Sequence, residues 1–351
     1  MSPNRRLLCL GLPVAALMAA TIAIGDAGAG TEPRESAKSQ DNYAAEGPFQ
    51  VSTRIDTWRD FARSRDVPVQ IYAPVVDEKS TQKGLYPLIL FSHGLGGNRE
   101  GGKLWAMHWA SHGYVVIALQ HPGSDDTLWR DRAGRDVESS LKAGMTITNL
   151  GLRVGDVHYA ISDAIRRQTA GEPGLVLADT RRIGMSGHSF GAQTTLAVSG
   201  QKFGTLAGQS GLDLRITAAV AFSPNARNKK NVERQFGDIR IPFFSVTGTR
   251  DGSILDDGTR YQDRMMPYEN MPAGGKYLAV FYEGDHMVLG GHTLGGRRSE
   301  TDRDREIQKA VEAATLAFWN ATLKGDTRAK SWLEEGGFKS SLQEKDVFLY
   351  K

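Results

Sequence analysis

The chain has 351 residues, 40% hydrophobic and 24% charged, which suits one large α/β domain or two small ones. Its formal net charge of +3 lacks the basic excess of a nucleic-acid binder, so no nucleic-acid partner is expected. The single cysteine, Cys9, lies in an N-terminal segment expected to be removed, leaving no thiol nucleophile, disulfide or cysteine-based metal site.

Residues 1–29 read as a signal peptide. Arg5 and Arg6 form a positive start, Leu7 to Ile24 is mostly apolar, and Ala27-Gly28-Ala29 offers a small-residue cleavage site. Arg5-Arg6-Leu7-Leu8 also fits a twin-arginine export signal, and an uncleaved N-terminal anchor is the alternative. The expected product is exported, periplasmic or extracellular, with no stable membrane span after cleavage. Residues 30–47 are polar and read as a disordered lead-in to a domain over 48–351.

Within that domain, Val51 to Asp56 and Val67 to Tyr72 read as paired strands around a charged turn. Tyr86 to Phe91 is a continuous apolar run, as in a strand buried on both faces, and it leads into Ser92-His93-Gly94-Leu95-Gly96-Gly97. Leu104 to Ser111 is helical in pattern, and Tyr114 to Leu119 is a second buried strand. A long polar connection follows, His121 to Asn149, of the kind that usually carries function. Leu152 to Arg167 is an amphipathic helix. Ile216 to Phe222, Pro242 to Val246 and Tyr277 to Tyr282 are further short apolar runs, and Glu306 to Leu323 is a closing helix. Alternating strands and helices predict a mostly parallel central sheet with helices on both faces, and no interdomain linker or repeat is evident.

Between the amphipathic helix and the later strands lies Arg182-Ile183-Gly184-Met185-Ser186-Gly187-His188-Ser189-Phe190-Gly191. An apolar run ending in Gly-x-Ser-x-Gly and opening a helix is the nucleophile-elbow pattern, which places Ser189 on a tight turn with its hydroxyl exposed. Serine attacks an ester well only if a histidine takes its proton and a carboxylate orients that histidine. Of eight histidines, His286 and His292 lie beyond Ser189. His286 follows an apolar run and so stands at the end of a strand, where loop residues meet the nucleophile. Asp251 stands likewise after Phe243 to Thr247, between serine and histidine in chain order, with Asp256 and Asp257 as neighbouring alternatives. The backbone amides of Phe190, after the nucleophile, and Leu95, in the His93 to Gly97 loop, are the expected oxyanion donors. His93, His121 and Trp129 are candidate substrate contacts, although aromatic packing in the core is the commoner fate of such residues. Asp125, Asp126, Asp131 and Asp136 match no EF-hand spacing, so no metal site is expected, and this chemistry needs no cofactor.

From Tyr86 to about Leu333 the chain resembles the α/β-hydrolase superfamily. Phe91 to Gly96, Val115 to His121 and Gly187-His188-Ser189-Phe190-Gly191 resemble the platelet-activating-factor acetylhydrolase family. The resemblance implies an α/β-hydrolase fold and serine esterase chemistry on short acyl esters, with Leu95 and Phe190 as oxyanion donors. In that family the acid follows the strand after the elbow helix, whereas here that strand runs into Ser223-Pro224-Asn225 with no carboxylate. An acid one strand later, at Asp251, is similar to dienelactone-hydrolase-like and bacterial polyester-hydrolase sequences. The expected activity is hydrolysis of small-molecule or lipid-like carboxylic esters. A serine peptidase or amidase, and a silent binding protein on the same fold, are the rivals.

Overall fold

A computed structural model of the chain describes residues 42–76, 84–130, 137–202, 211–226, 229–253, 255, 257–291 and 300–351. The expected signal peptide, most of the lead-in, Asp131, Asp136, Asp256 and His292 lie outside them. Gln40–Lys351 forms one compact unit.

In chain order, β1 (Val51–Asp60) and β2 (Arg65–Pro74) form a hairpin, followed by β3 (Tyr86–Ser92), α1 (Lys103–Ser111) and β4 (Val115–Leu119). Helices α2 (Val137–Gly144) and α3 (Ile147–Thr169) lead to β5 (Ala178–His188) and α4 (Phe190–Val198). Next come β6 (Ile216–Phe222), α5 (Val232–Phe236), β7 (Phe243–Arg250), α6 (Tyr261–Asn270) and β8 (Lys276–Asp285). The chain closes with α7 (Asp302–Leu323), α8 (Thr327–Glu334) and β9 (Val347–Tyr350).

The strands make one nine-stranded sheet in the order β1-β2-β4-β3-β5-β6-β7-β8-β9. It is mixed rather than uniformly parallel. Pairs from β4 through β8 are parallel, while β1–β2, β2–β4 and β8–β9 are antiparallel. The parallel centre follows from helical crossovers, and the β1–β2 turn is too short for anything but an antiparallel return. The arrangement is compatible with an α/β-hydrolase fold.

Alternation along the central strands supplies two cores. Ile89 and Phe91 face Trp105 and Trp109 of α1 and Leu316, Phe318 and Trp319 of α7. Leu88 and Leu90 face the opposite way, onto Val157, Ile161 and Ala164 of α3 and Val198 of α4. Both faces of the sheet are therefore covered, which is why β3 and β4 read as unbroken apolar runs. No helix among the described residues is long and apolar enough to cross a membrane.

Two expectations change. Residues 42–47, read as part of a disordered lead-in, pack on the domain. Tyr43 is buried with its ring 4.9 Å from Trp332, and its carbonyl accepts a hydrogen bond from His108 Nε2 (3.0 Å). The connection after β4 is also more regular than its polarity suggested. Leu141 of α2 and the following Met145 pack against buried Leu95 and Phe190, so α2 has an apolar face that its short length obscured.

Candidate active site

Ser189 joins β5 to α4 with φ 56° and ψ −112°, a left-handed backbone that a non-glycine residue adopts only when its surroundings force it. The neighbouring glycines allow the tight packing that holds it. A Cβ on Gly191 would overlap the Ser92 carbonyl of β3, and one on Gly187 would overlap the Gly191 carbonyl. The Ser189 amide donates to Phe222 O at the end of β6 (2.9 Å), pinning the turn over the strand ends.

His286 follows directly on β8 and Asp251 on β7. The two strands approach closely at Gly248, where a Cβ would overlap the Gly284 carbonyl. His286 Nδ1 lies 2.7 Å from Asp251 Oδ1, and Thr247 Oγ1 donates to Asp251 Oδ2 (2.8 Å). Asp251 is fully buried. Burial alone would raise its carboxyl, but the Arg264 guanidinium and the His286 ring outweigh it and hold it below the ordinary carboxylate value. An ionised carboxylate only accepts, so Nδ1 carries the proton of the neutral ring, and Nε2 is left with its lone pair.

Ser189 and His286 open onto one pocket, which with its mouth encloses about 430 Å³. Leu95, Met145, Phe190 and Leu255 supply its apolar wall. Gln193, Asn225, Ser253, Thr259 and Arg264 supply a polar one, with Asp257 beside them. Phe190 is the first residue of α4, so its N–H has no intrahelical acceptor. The Leu95 amide makes no hydrogen bond within the described structure, while those of Gly96 and Gly97 are taken up by Ser124 O and Gly94 O.

The structure thus brings Ser189, His286, Asp251, Leu95 and Phe190 together. It does not bring His93, His121 or Trp129 into the pocket, contrary to expectation. His121 is fully buried behind the loop, with Nε2 2.8 Å from Ser92 Oγ and Nδ1 3.0 Å from Asp156 Oδ2. His93 Nε2 accepts from the His121 amide (3.1 Å). Both rings serve the loop's internal bonding, because a buried strand end needs partners for its polar groups. Trp129 lies outside the loop, donating from Nε1 to Gly96 O (2.7 Å). Trp105 stacks on Phe222 in the core.

Two arginines escaped the sequence reading. Arg153 of α3 is fully buried, with Nη1 donating to His93 O (2.7 Å) and Nε to Ser124 Oγ (2.8 Å), and its guanidinium lies 4.3 Å from the Phe190 ring. It therefore touches both chain segments that carry the candidate oxyanion amides. Burial pushes its pKa down to about 9, still charged at neutral pH. A signal existed: Arg153 falls in the stripe of Leu150, Val154, Val157 and Ala160, where an apolar residue would be expected. Arg264 of α6 contacts Asp251 itself, and nothing in its local sequence marks it.

The family model of platelet-activating factor acetylhydrolase, isoform II, matches residues 63–139. That span holds β3, the His93 to Gly97 loop, α1 and β4. It supports a platelet-activating-factor-acetylhydrolase-like α/β-hydrolase family and points to a hydrolase of the lipase or esterase type. Ser189, Asp251 and His286 lie beyond the match.

Proposed function

Starting from this likeness to platelet-activating-factor-acetylhydrolase-like α/β-hydrolases, we propose that the protein is an exported serine esterase cleaving short-chain acyl or aryl esters. The observation that carries the reading is the pocket itself. Ser189, on a strained elbow, and His286, hydrogen-bonded to a buried and ionised Asp251, share it with two amides free to receive an oxyanion. In the proposed reaction Ser189 Oγ attacks the ester carbonyl while His286 Nε2 takes its proton. Asp251 holds the ring and stabilises the imidazolium as it forms. The Leu95 and Phe190 amides bind the developing alkoxide, each contributing about 3 kcal/mol of transition-state stabilisation. His286 then protonates the departing alcohol oxygen. A water deprotonated by the same nitrogen attacks the acyl-enzyme and releases the acid.

The pocket's short apolar wall supports a short acyl group or an aromatic ring, and its polar wall suits the ester's oxygen-rich side. Export belongs to the same reading and rests on the charged start, apolar stretch and small-residue site of residues 1–29. One experiment tests both parts. Expressed with its leader, the protein is expected to bring p-nitrophenyl acetate hydrolysis into the periplasm or medium. Ser189→Ala should lower kcat about a millionfold while leaving export unchanged. Full activity in Ser189→Ala would remove the proposed chemistry, and activity confined to the cytoplasm would remove export.

A further inference from the structure

β6 runs into Ser223 without a carboxylate, and Asp251, directly after β7, is the acid-bearing residue that reaches His286. Arg264 fills the space between these two strand ends. Its Nη1 donates to Ser223 O (2.8 Å), Nη2 to Gly252 O (2.9 Å) and Nε to Asp251 O (2.8 Å). Nε also lies 2.9 Å from Asp251 Oδ1, the same oxygen that His286 Nδ1 approaches, and Nη2 lies 3.3 Å from that ring nitrogen. Arg264 is 4% exposed and sits on the pocket wall.

We infer that Arg264 is a positioning residue for the candidate triad, holding Asp251 in register with His286 and offsetting the carboxylate's charge beside the imidazole. The inference rests on the triad reading above. The geometric half follows from the fork. A planar guanidinium ties the carbonyls of Ser223, Asp251 and Gly252, just past the ends of two adjacent strands, and one carboxylate oxygen into a single rigid unit, which a flexible ammonium could not reproduce.

The electrostatic half follows from what faces the ring. Asp251 favours the imidazolium, and Arg264, with Nη2 3.3 Å from Nδ1, opposes it. From β5, His188 lies 4.6 Å away, ring centre to ring centre, and donates from Nε2 to His286 O (2.8 Å). Asp285 is turned to the Met287 and Val288 amides, and Asp257 lines the same pocket near enough to Arg264 to act on its charge. Arg264 is therefore the one full positive charge in contact with Nδ1 among the described residues. Removing that charge would take away the one contact that opposes the imidazolium, which is the effect a pH profile reads.

The test is the pH profile of kcat/KM. Arg264→Gln removes the charge, and its acidic limb is expected to move upward by about one pH unit. Arg264→Lys keeps a charge but loses the fork. Its limb should stay at the wild-type position while kcat falls roughly tenfold or more, since small displacements of a catalytic group are costly. An arginine that merely stabilises the fold would lower activity in both variants without separating the two limbs. A limb for Arg264→Gln coincident with the wild-type limb overturns the inference, provided the wild-type activity depends on Ser189; if it does not, the triad reading itself falls. Limb position is independent of the fraction of enzyme folded, so fluorophosphonate titration of competent sites keeps the comparison valid for a weakened variant. Should Arg264→Gln yield no folded protein, the lysine variant decides: a displaced limb or an unchanged kcat overturns the inference.

Discussion

Asp251 is the residue on which the site's chemistry and its stability meet. It serves two buried partners, His286 and Arg264, through one oxygen. Replacing it with asparagine would remove the fixed acceptor for Nδ1–H and leave the Arg264 charge buried without its counter-ion. Asp251→Asn is thus expected to lower kcat by roughly four orders of magnitude at neutral pH. It should also cost about 3–5 kcal/mol of stability, the usual penalty for breaking a buried ion pair from one side. Steady-state kinetics and urea unfolding of the same preparation measure both. A variant that loses activity without losing stability would show that Arg264 is satisfied by carbonyls alone. Ser189 and His286, which line one pocket, could be picked out in the sequence as candidates because Gly-x-Ser-x-Gly and chain order constrain them. Arg264 could not, because its partners come from three separate strand ends that only folding brings together.

At the scale of elements, the elbow depends on close contact between β5, α4 and β3. Gly191 lies against the Ser92 carbonyl, with no room for a methyl group. Because the obstacle is backbone on a central strand, it cannot rotate away as a side chain could. Gly191→Ala is therefore expected to destabilise the domain by about 3–5 kcal/mol and to abolish fluorophosphonate labelling of Ser189. Thermal unfolding together with probe labelling checks this, and wild-type labelling in a stable variant would contradict the packing argument. Most strands were readable as apolar runs, since strands buried on both faces leave such a trace. α2, α6 and β9 were not. α2 and β9 are short, and α6 contains Pro267, which argues against a helix when tertiary support is unseen.

For the whole molecule, the consequential feature is its set of buried neutral histidines. His108 and His121 are both pushed down to about 4, burial being the main cause, and His93 is held well below its ordinary value by burial and the Arg153 charge. In the unfolded chain these rings take up protons from about pH 6.5 downward, whereas native His108 and His121 resist until near pH 4. Proton uptake by the unfolded state lowers stability, so stability is expected to decline between about pH 6.5 and 4, by on the order of 3 kcal/mol for each of His108 and His121. Below that window carboxylates take over. Burial opposes the ionised form of Asp156, yet its bonds to His121 and Arg65 prevail and lower its pKa. That contribution is present above the unfolded value and lost as pH falls through the native one. Urea midpoints measured at pH 7.5, 6 and 5 report the histidine part, and equal midpoints would refute it.

By itself the sequence determined the alternation of buried strands and helices, the turn at Ser189, and the chain order in which the candidates Asp251 and His286 follow it. These are local or one-dimensional properties, written in periodicity, glycine spacing and chain order. Tertiary structure alone decided that the sheet is mixed, that residues 42–47 pack on the domain, and that His93 and His121 lie behind the pocket. It alone brought Arg153 against the Leu95 loop and Phe190, and Arg264 against Asp251. A buried cation is recognised by the carbonyls and carboxylates that surround it, and those partners are distant in sequence until the strand ends converge.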